Sequence, residues 1–207
     1  MLQSEALRIL KKHSTTTKSY RAVLSHSRKV AEVALELCNL IPRVDKKFVR
    51  TASILHDIGR FNCPPWKDSA RHGIEGGRIL RKEDLKKEAM VAERHLGGGI
   101  TRDDIIRQKL PIPARDYMPV SKEEKIITIA DKLVCGKKRI SIRQAAERFK
   151  KEIGPRASRR IVALYKEVIG LGPGKTQRGT RKTCPESHSQ RPILKLRHCG
   201  RNRQGSK

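Results

Sequence analysis

A chain of 207 residues with 36% hydrophobic and 3% aromatic content has the size for one domain plus an extension, and its aliphatic residues suit a core of packed helices. The formal net charge of +27 makes acidic surfaces and polyanions its natural electrostatic partners, although charge by itself dictates no fold. No apolar run is long enough to span a bilayer, and charges from Glu5 onward interrupt any leader, so the expectation is a cytoplasmic protein without membrane contact.

The charge is spread along the chain: residues 171–207 carry +9 and residues 1–170 carry +18. Five cysteines, at 38, 63, 135, 184 and 199, form no CxxC pair and fit a reducing compartment. Cys184 with His188, and His198 with Cys199, imitate a zinc site at a spacing that fits no familiar finger.

In chain order, Ser4 to Leu10 opens an amphipathic helix that stops in the polar run His13 to Lys18. Tyr20 to Leu40 reads as a long helix whose stripe Val23, His26, Val30, Val33, Leu37 turns His26 inward. Asp45 caps the next helix, in which Phe48, Ala52, Leu55 and His56 keep the inward period and Gly59 is placed as the terminator. The adjacent imidazole and carboxylate of His56 and Asp57 then sit at the buried end of a helix, where desolvation is costly unless they are hydrogen-bonded or hold a metal.

Phe61 to Ala70, with Pro64-Pro65, reads as a loop over that end. His72 opens a glycine-rich helix, Glu83 to Ala92 continues helically to His95, and Gly97-Gly98-Gly99 breaks the chain. Thr101 with Asp103 and Asp104 caps a short helix, and Pro111 to Pro119 is a loop. Ser121 with Glu124 predicts a capping box for a helix over Lys122 to Lys137, on which Ile127, Ala130, Asp131 and Val134 share a face. An aspartate embedded in an apolar stripe needs a partner, which makes Asp131 the most informative of the candidates.

Arg143 to Ile153 and Ser158 to Ile169 read as two more amphipathic helices, and the Gly, Pro, Arg and Lys-rich remainder from Gly170 reads as a disordered basic tail. The phosphate-loop look-alike Gly172-Pro173-Gly174-Lys175-Thr176 has Ile169 where the first glycine is required and no preceding strand. The predicted architecture is an all-α helical bundle over residues 1–170 followed by a tail over 171–207.

His26, His56, Asp57, His72, His95 and Asp131 come from separate helical segments, each on an inward face or at a helix end. Imidazoles with carboxylates form an N/O ligand set for divalent Mn, Fe, Co, Ni, Zn or Mg and give no role to thiolates. Their order, with Leu55-His56-Asp57-Ile58-Gly59, His72-Gly73-Ile74-Glu75-Gly76, Glu93-Arg94-His95 and Ile129-Ala130-Asp131-Lys132, resembles the HD superfamily of metal-dependent phosphohydrolases and its HDIG subgroup over about residues 3–155. The wording is similar to that of small archaeal stand-alone HD proteins of unassigned substrate.

The resemblance implies an all-α HD fold and one or two divalent ions. His26, His56, Asp57 and Asp131 would hold the first ion, and His72 and His95 would hold a second that Asp57 bridges. It implies hydrolysis of a phosphoester, with a phosphorylated small molecule such as a nucleotide as the partner. Arg60 stands where related cyclic-dinucleotide phosphodiesterases carry lysine, and their Gly-Tyr-Pro signature is missing after His95, where Gly97-Gly98-Gly99 follows. On this reading a metal-activated water attacks phosphorus, Arg60 supports the phosphoryl oxygens, and His72 or His95 protonates the leaving group. The competing reading is a nucleic-acid-associated protein that contacts phosphates nonspecifically through its basic tail.

Overall fold

The longest helix does most to organise the chain, because its apolar stripe is wide enough to serve two neighbours at once. In the computed structural model, which describes residues 1–65 and 69–170, this is α2 (Thr17–Cys38). It starts at Thr16, whose hydroxyl accepts from the Ser19 amide while the Ser19 hydroxyl accepts from Thr16, a capping box with serine in place of glutamate. Val30, Val33, Ala34 and Leu37 of α2 lie against Val49 and Ala52 of α3 (Lys46–Leu55) and against Ile126, Ile127, Ile129 and Ala130 of α7 (Lys122–Lys132). The same cluster receives Phe149 of α8 (Ile142–Glu152) and Ile161, Leu164 and Val168 of α9 (Pro155–Gly170), which begins on a proline, as an N-terminal helical turn allows.

A second cluster lies on the other side of α3. Ile54, Leu55 and Ile58 pack there with Ala6, Ile9 and Leu10 of α1 (Gln3–Lys12), Ile79 and Leu80 of α4 (His72–Lys82) and Ala89 and Ala92 of α5 (Lys86–Arg94). A third and smaller one joins Leu96, Ile100, Ile112 and Tyr117 to Ile105 of α6 (Arg102–Gln108). The loop from Pro111 to Pro119 is thus anchored by two of its own side chains and by a bridge between Ile100 and Tyr117.

The all-α expectation holds, with one local exception. The helix expected over Lys122 to Lys137 ends at Lys132, and the chain turns into a hairpin of β1 (Val134–Cys135) and β2 (Lys138–Arg139). Gly136, at φ 61°, takes the first position of the two-residue loop, where a tight hairpin favours glycine, so Val134 leaves the helical stripe. The capping box at Ser121 is half formed. Ser121 accepts from the Glu124 amide, but the Glu124 carboxylate turns to the Val120 amide and to Arg94. The helix read as running unbroken from Glu83 begins only at Lys86, after Asp84 adopts φ 57°.

Gly59 does not terminate α3, which stops at Leu55; it lies inside a 3-10 turn over Ile58–Phe61. The loop read over Phe61 to Ala70 begins at the end of this turn and runs into a second over Ser69–Arg71, while residues 66–68 within it lie outside the described residues. The tail from 171, with its phosphate-loop look-alike and its Cys184/His188 and His198/Cys199 pairs, also lies outside them. No helix among the described residues is long and apolar enough to cross a membrane.

Thr101 and Asp104 cap each other at the start of α6 as their spacing predicts. Asp104 also binds Arg160 of α9 at 2.6 Å, and Arg160 in turn donates to the Gly99 carbonyl at 2.7 Å. Burial pushes the Asp104 carboxyl up, but the Arg160 guanidinium outweighs it and the net shift is downward. A depressed carboxyl contributes stability above its unfolded pKa of about 3.9 and loses it as pH falls through the folded value. Asp104→Asn is therefore expected to cost about 2 kcal/mol near neutrality and progressively less in acid, read from urea midpoints at pH 7 and pH 3.

Candidate functional site

Three helices end at one place, and their last residues meet there. α3 ends at Leu55 and delivers His56 and Asp57; α5 ends at Arg94 and delivers His95; α7 ends at Lys132, one residue after Asp131. α4 begins at His72 on the facing side, and His26 comes in from α2. All six residues singled out in the sequence as ligands converge, and Arg60 joins them with its Nε 3.4 Å from Asp57 Oδ1.

Asp57 is the hub. His72 Nε2 lies 3.1 Å and His95 Nε2 3.5 Å from its Oδ1, while His26 Nε2 and His56 Nε2 lie 3.8 and 3.9 Å from its Oδ2. Asp131 Oδ1 lies 3.0 Å from His26 Nε2 and 3.7 Å from His56 Nε2. Three sets of donor atoms lie within 4.8 Å of one another: His26, His56 and Asp57; His56, His95 and Asp131; and Asp57, His72 and His95.

Two imidazoles are fixed from behind. His56 Nδ1 donates to the Ser53 carbonyl at 2.7 Å and His95 Nδ1 to the Ala92 carbonyl at 2.8 Å, each three residues back in its own helix. This leaves Nε2 as the lone-pair nitrogen facing the other residues, the orientation that metal-ligating histidines adopt. His56 Nε2 and Asp57 Oδ1 are fully buried without a hydrogen-bond partner. Such orphaned polar atoms cost about 1–3 kcal/mol each unless something absent from the polypeptide satisfies them.

The electrostatics follow from burial and two cations. Burial pushes Asp57 up, but the Arg60 guanidinium and the His56 imidazole hold it well below the usual carboxylate range. Burial likewise pushes Asp131 up, and Lys132 and His26 overcome it. Burial, reinforced by Arg60, drives His72 down to about 3, and burial also lowers His95, so both rings are neutral at physiological pH. His26 goes the other way: burial lowers it, but its hydrogen bond to Asp131 wins. His26 is also the most open of the four rings, its side chain 23% exposed against 2% or less for the others, so the cluster opens to solvent on the α2 side.

One member was not found in the sequence. Lys132 is buried and its ammonium lies 2.5 Å from Asp131 Oδ2, which leaves Oδ1 to face the histidines. Lys132 follows Ile129 at the helical interval of three on an apolar face, and that placement was the available signal. The two backbone carbonyls behind His56 and His95 leave no trace in residue types.

A family model described as "HD domain" matches residues 23–134, which hold all the clustered residues. The chain belongs to the HD domain family. HD domains are typically metal-dependent hydrolases, and the donor set here fits that chemistry. The chain is 38% identical over 156 residues to the uncharacterized protein MJ0778 of Methanocaldococcus jannaschii, covering 72% of this chain and 89% of that one. It is 33% identical over 150 residues to a tRNA (cytidine(56)-2'-O)-methyltransferase of Picrophilus torridus and 31% identical over 152 residues to that of Thermoplasma volcanium. In both cases the match covers 72% of this chain, and it spans less than half of the relative, 42% and 43%. Among solved structures, the HD domain of the phosphodiesterase PgpH of L. monocytogenes is similar at TM-score 0.48 and 16% identity, over 80% of this chain and 95% of that one.

Proposed function

We propose that this HD domain is a metal-dependent phosphohydrolase that cleaves a phosphoester of a nucleotide or nucleic acid. The observation that carries the proposal is the pair of buried atoms without a hydrogen bond, His56 Nε2 and Asp57 Oδ1, inside a shell of histidines and aspartates. In this reading His26, His56, Asp57 and Asp131 hold one ion, and His72 and His95 with Asp57 offer a place for a second. A divalent ion at such a site supplies Lewis acidity toward a phosphoryl oxygen and makes water a competent nucleophile near neutral pH.

The chain's own residues do the rest. The backbone bonds from His56 and His95 keep both Nε2 lone pairs presented, and burial keeps the His95 ring neutral so that no proton competes for its lone pair. His72, at about 3, is suited to holding an ion and poorly suited to donating a proton. Arg60 at the edge of Asp57 places a planar guanidinium where phosphoryl oxygens would lie. Lys132 keeps one oxygen of Asp131 occupied, so this carboxylate offers a single oxygen to the cluster.

A nucleic-acid-derived substrate is favoured by the names of two relatives, which act on tRNA, and by the net charge of +27. Elemental analysis of protein purified without added metal is expected to find about one or two transition-metal ions per chain. Phosphate release from a panel of mononucleotides and short oligonucleotides with several divalent ions is expected to identify at least one substrate. A protein that retains no transition metal and cleaves none of them overturns the proposal.

A further inference from the structure

The HD cluster opens on the His26 side of α2, and the surface that continues from that opening is cationic. A groove of about 400 Å³ is lined along α2 by Arg21, Ser25, Arg28, Lys29 and Glu32, and is closed on its other flank by Lys137 in the hairpin turn. At about 100° per residue, Lys29 lies about 60° round the helix from His26, with Ser25, Glu32, Arg21 and Arg28 following in the same sense out to about 160°. The apolar stripe of Val30, Val33 and Leu37 flanks His26 within about 40° on both sides and turns into the core. The groove thus begins one side chain away from His26 and leads away from the core. The hairpin ties the two together, since the Gly136 backbone faces His26 and Lys137 is the next residue.

Its charge is uncompensated. Glu32 is engaged by Lys29 at 2.6 Å, and among the described residues no carboxylate lies within ion-pair distance of Arg21, Arg28 or Lys137. These three side chains belong to exposed residues, so they serve no packing need. Arg21 and Arg28 lie about 10 Å apart along the helix, a span that covers more than one phosphate of a nucleotide strand. No aromatic ring lines the groove, so it provides contacts to phosphates and no stacking platform for bases.

We propose that the groove formed by Arg21, Arg28 and Lys137 binds the phosphates of a single-stranded nucleic acid that neighbour the one held in the HD cluster. The substrate is then a strand rather than a free mononucleotide. The hydrolytic half rests on the phosphohydrolase reading; the binding half does not. Recognition is independent of sequence, because only backbone phosphates are touched.

The test uses the full chain and the variant Arg21→Glu/Arg28→Glu/Lys137→Glu, with a labelled single-stranded RNA 15-mer and the matching DNA in EDTA, followed by anisotropy across a salt series. The variant is expected to bind at least about tenfold more weakly at 0.1 M salt, with the slope of log K against log salt reduced by about 2 for three lost contacts. Hydrolysis of bis-p-nitrophenyl phosphate, which is too small to reach the groove, is expected to stay within about twofold of the original chain. Equal binding and equal salt slopes in both proteins overturn the proposal, as does loss of the small-ester activity in the variant. Groove-dependent binding by a protein that hydrolyses nothing leaves the groove standing and removes the phosphohydrolase reading.

Discussion

Replacing Asp57 is expected to remove the metal and the activity together. In Asp57→Ala, four imidazole nitrogens lose the carboxylate within 3.9 Å of each of them, the ligand set of the first ion falls from four to three, and that of the second falls from three to two. Loss of an outer partner of a metal site costs about 10–100-fold in affinity or activity, so a ligand at the centre is expected to cost more than about a hundredfold. Asp57→Asn keeps the volume and the neutral hydrogen-bonding capacity while removing the charge, and is expected to behave in the same way. The measurement is metal per chain after gel filtration, with phosphoester turnover on the same sample. Added divalent ion is expected to raise the thermal midpoint of the original chain, by about 2.7 kcal/mol of stabilisation at a hundred times Kd, and to leave both variants unmoved. Stoichiometric metal in Asp57→Ala would show that the cluster holds its ion without the residue at its hub.

The largest stability effect is expected from a single methyl group. At Gly59 a Cβ would stand 1.9 Å from the His72 carbonyl oxygen and 2.5 Å from the Gly76 amide nitrogen, and both are backbone atoms of α4 that cannot rotate away. Gly59→Ala must therefore separate the 3-10 turn from α4, at about 3 kcal/mol or more, which corresponds to a fall in Tm of about 10 °C for a chain of this size. Since α4 carries His72, the same displacement widens the cluster, and metal affinity is expected to fall with stability. Gly170→Ala, where nothing lies within 4 Å, serves as the control and is expected to change stability by less than about 0.5 kcal/mol. Equal midpoints for the two variants would mean that α4 accommodates the methyl without loss.

The ligand set was legible because each member violated a local rule. An aspartate on the stripe of Ile127 and Ala130, a histidine among the valines of α2, and a His-Asp pair at a helix end all demand a partner that the sequence nearby does not supply. The caps at Thr101 and Asp45 were legible for the opposite reason, since their partners lie three residues away. What stayed hidden depends on distant pairing. Glu124 fits a capping box by spacing, yet Arg94, thirty residues away, draws its carboxylate off. The hairpin after Lys132 was masked by an apolar period that runs on to Val134, and its turn relies on one glycine. Gly59 read as a terminator because a helix did end nearby, and its real task is set by the backbone of α4. Lys132 looked like an ordinary basic residue at a helix end.

The meeting of helix ends at the cluster has a further electrostatic consequence. α3, α5 and α7 all direct their C-terminal ends toward it, and each end carries roughly half a negative charge from its aligned peptide dipoles. In a protein of net charge +27 the backbone thus maintains a small negative basin that no side-chain count reveals. A cation is drawn into that basin while the surrounding surface gathers anions, so the two kinds of ligand are sorted before either makes a contact.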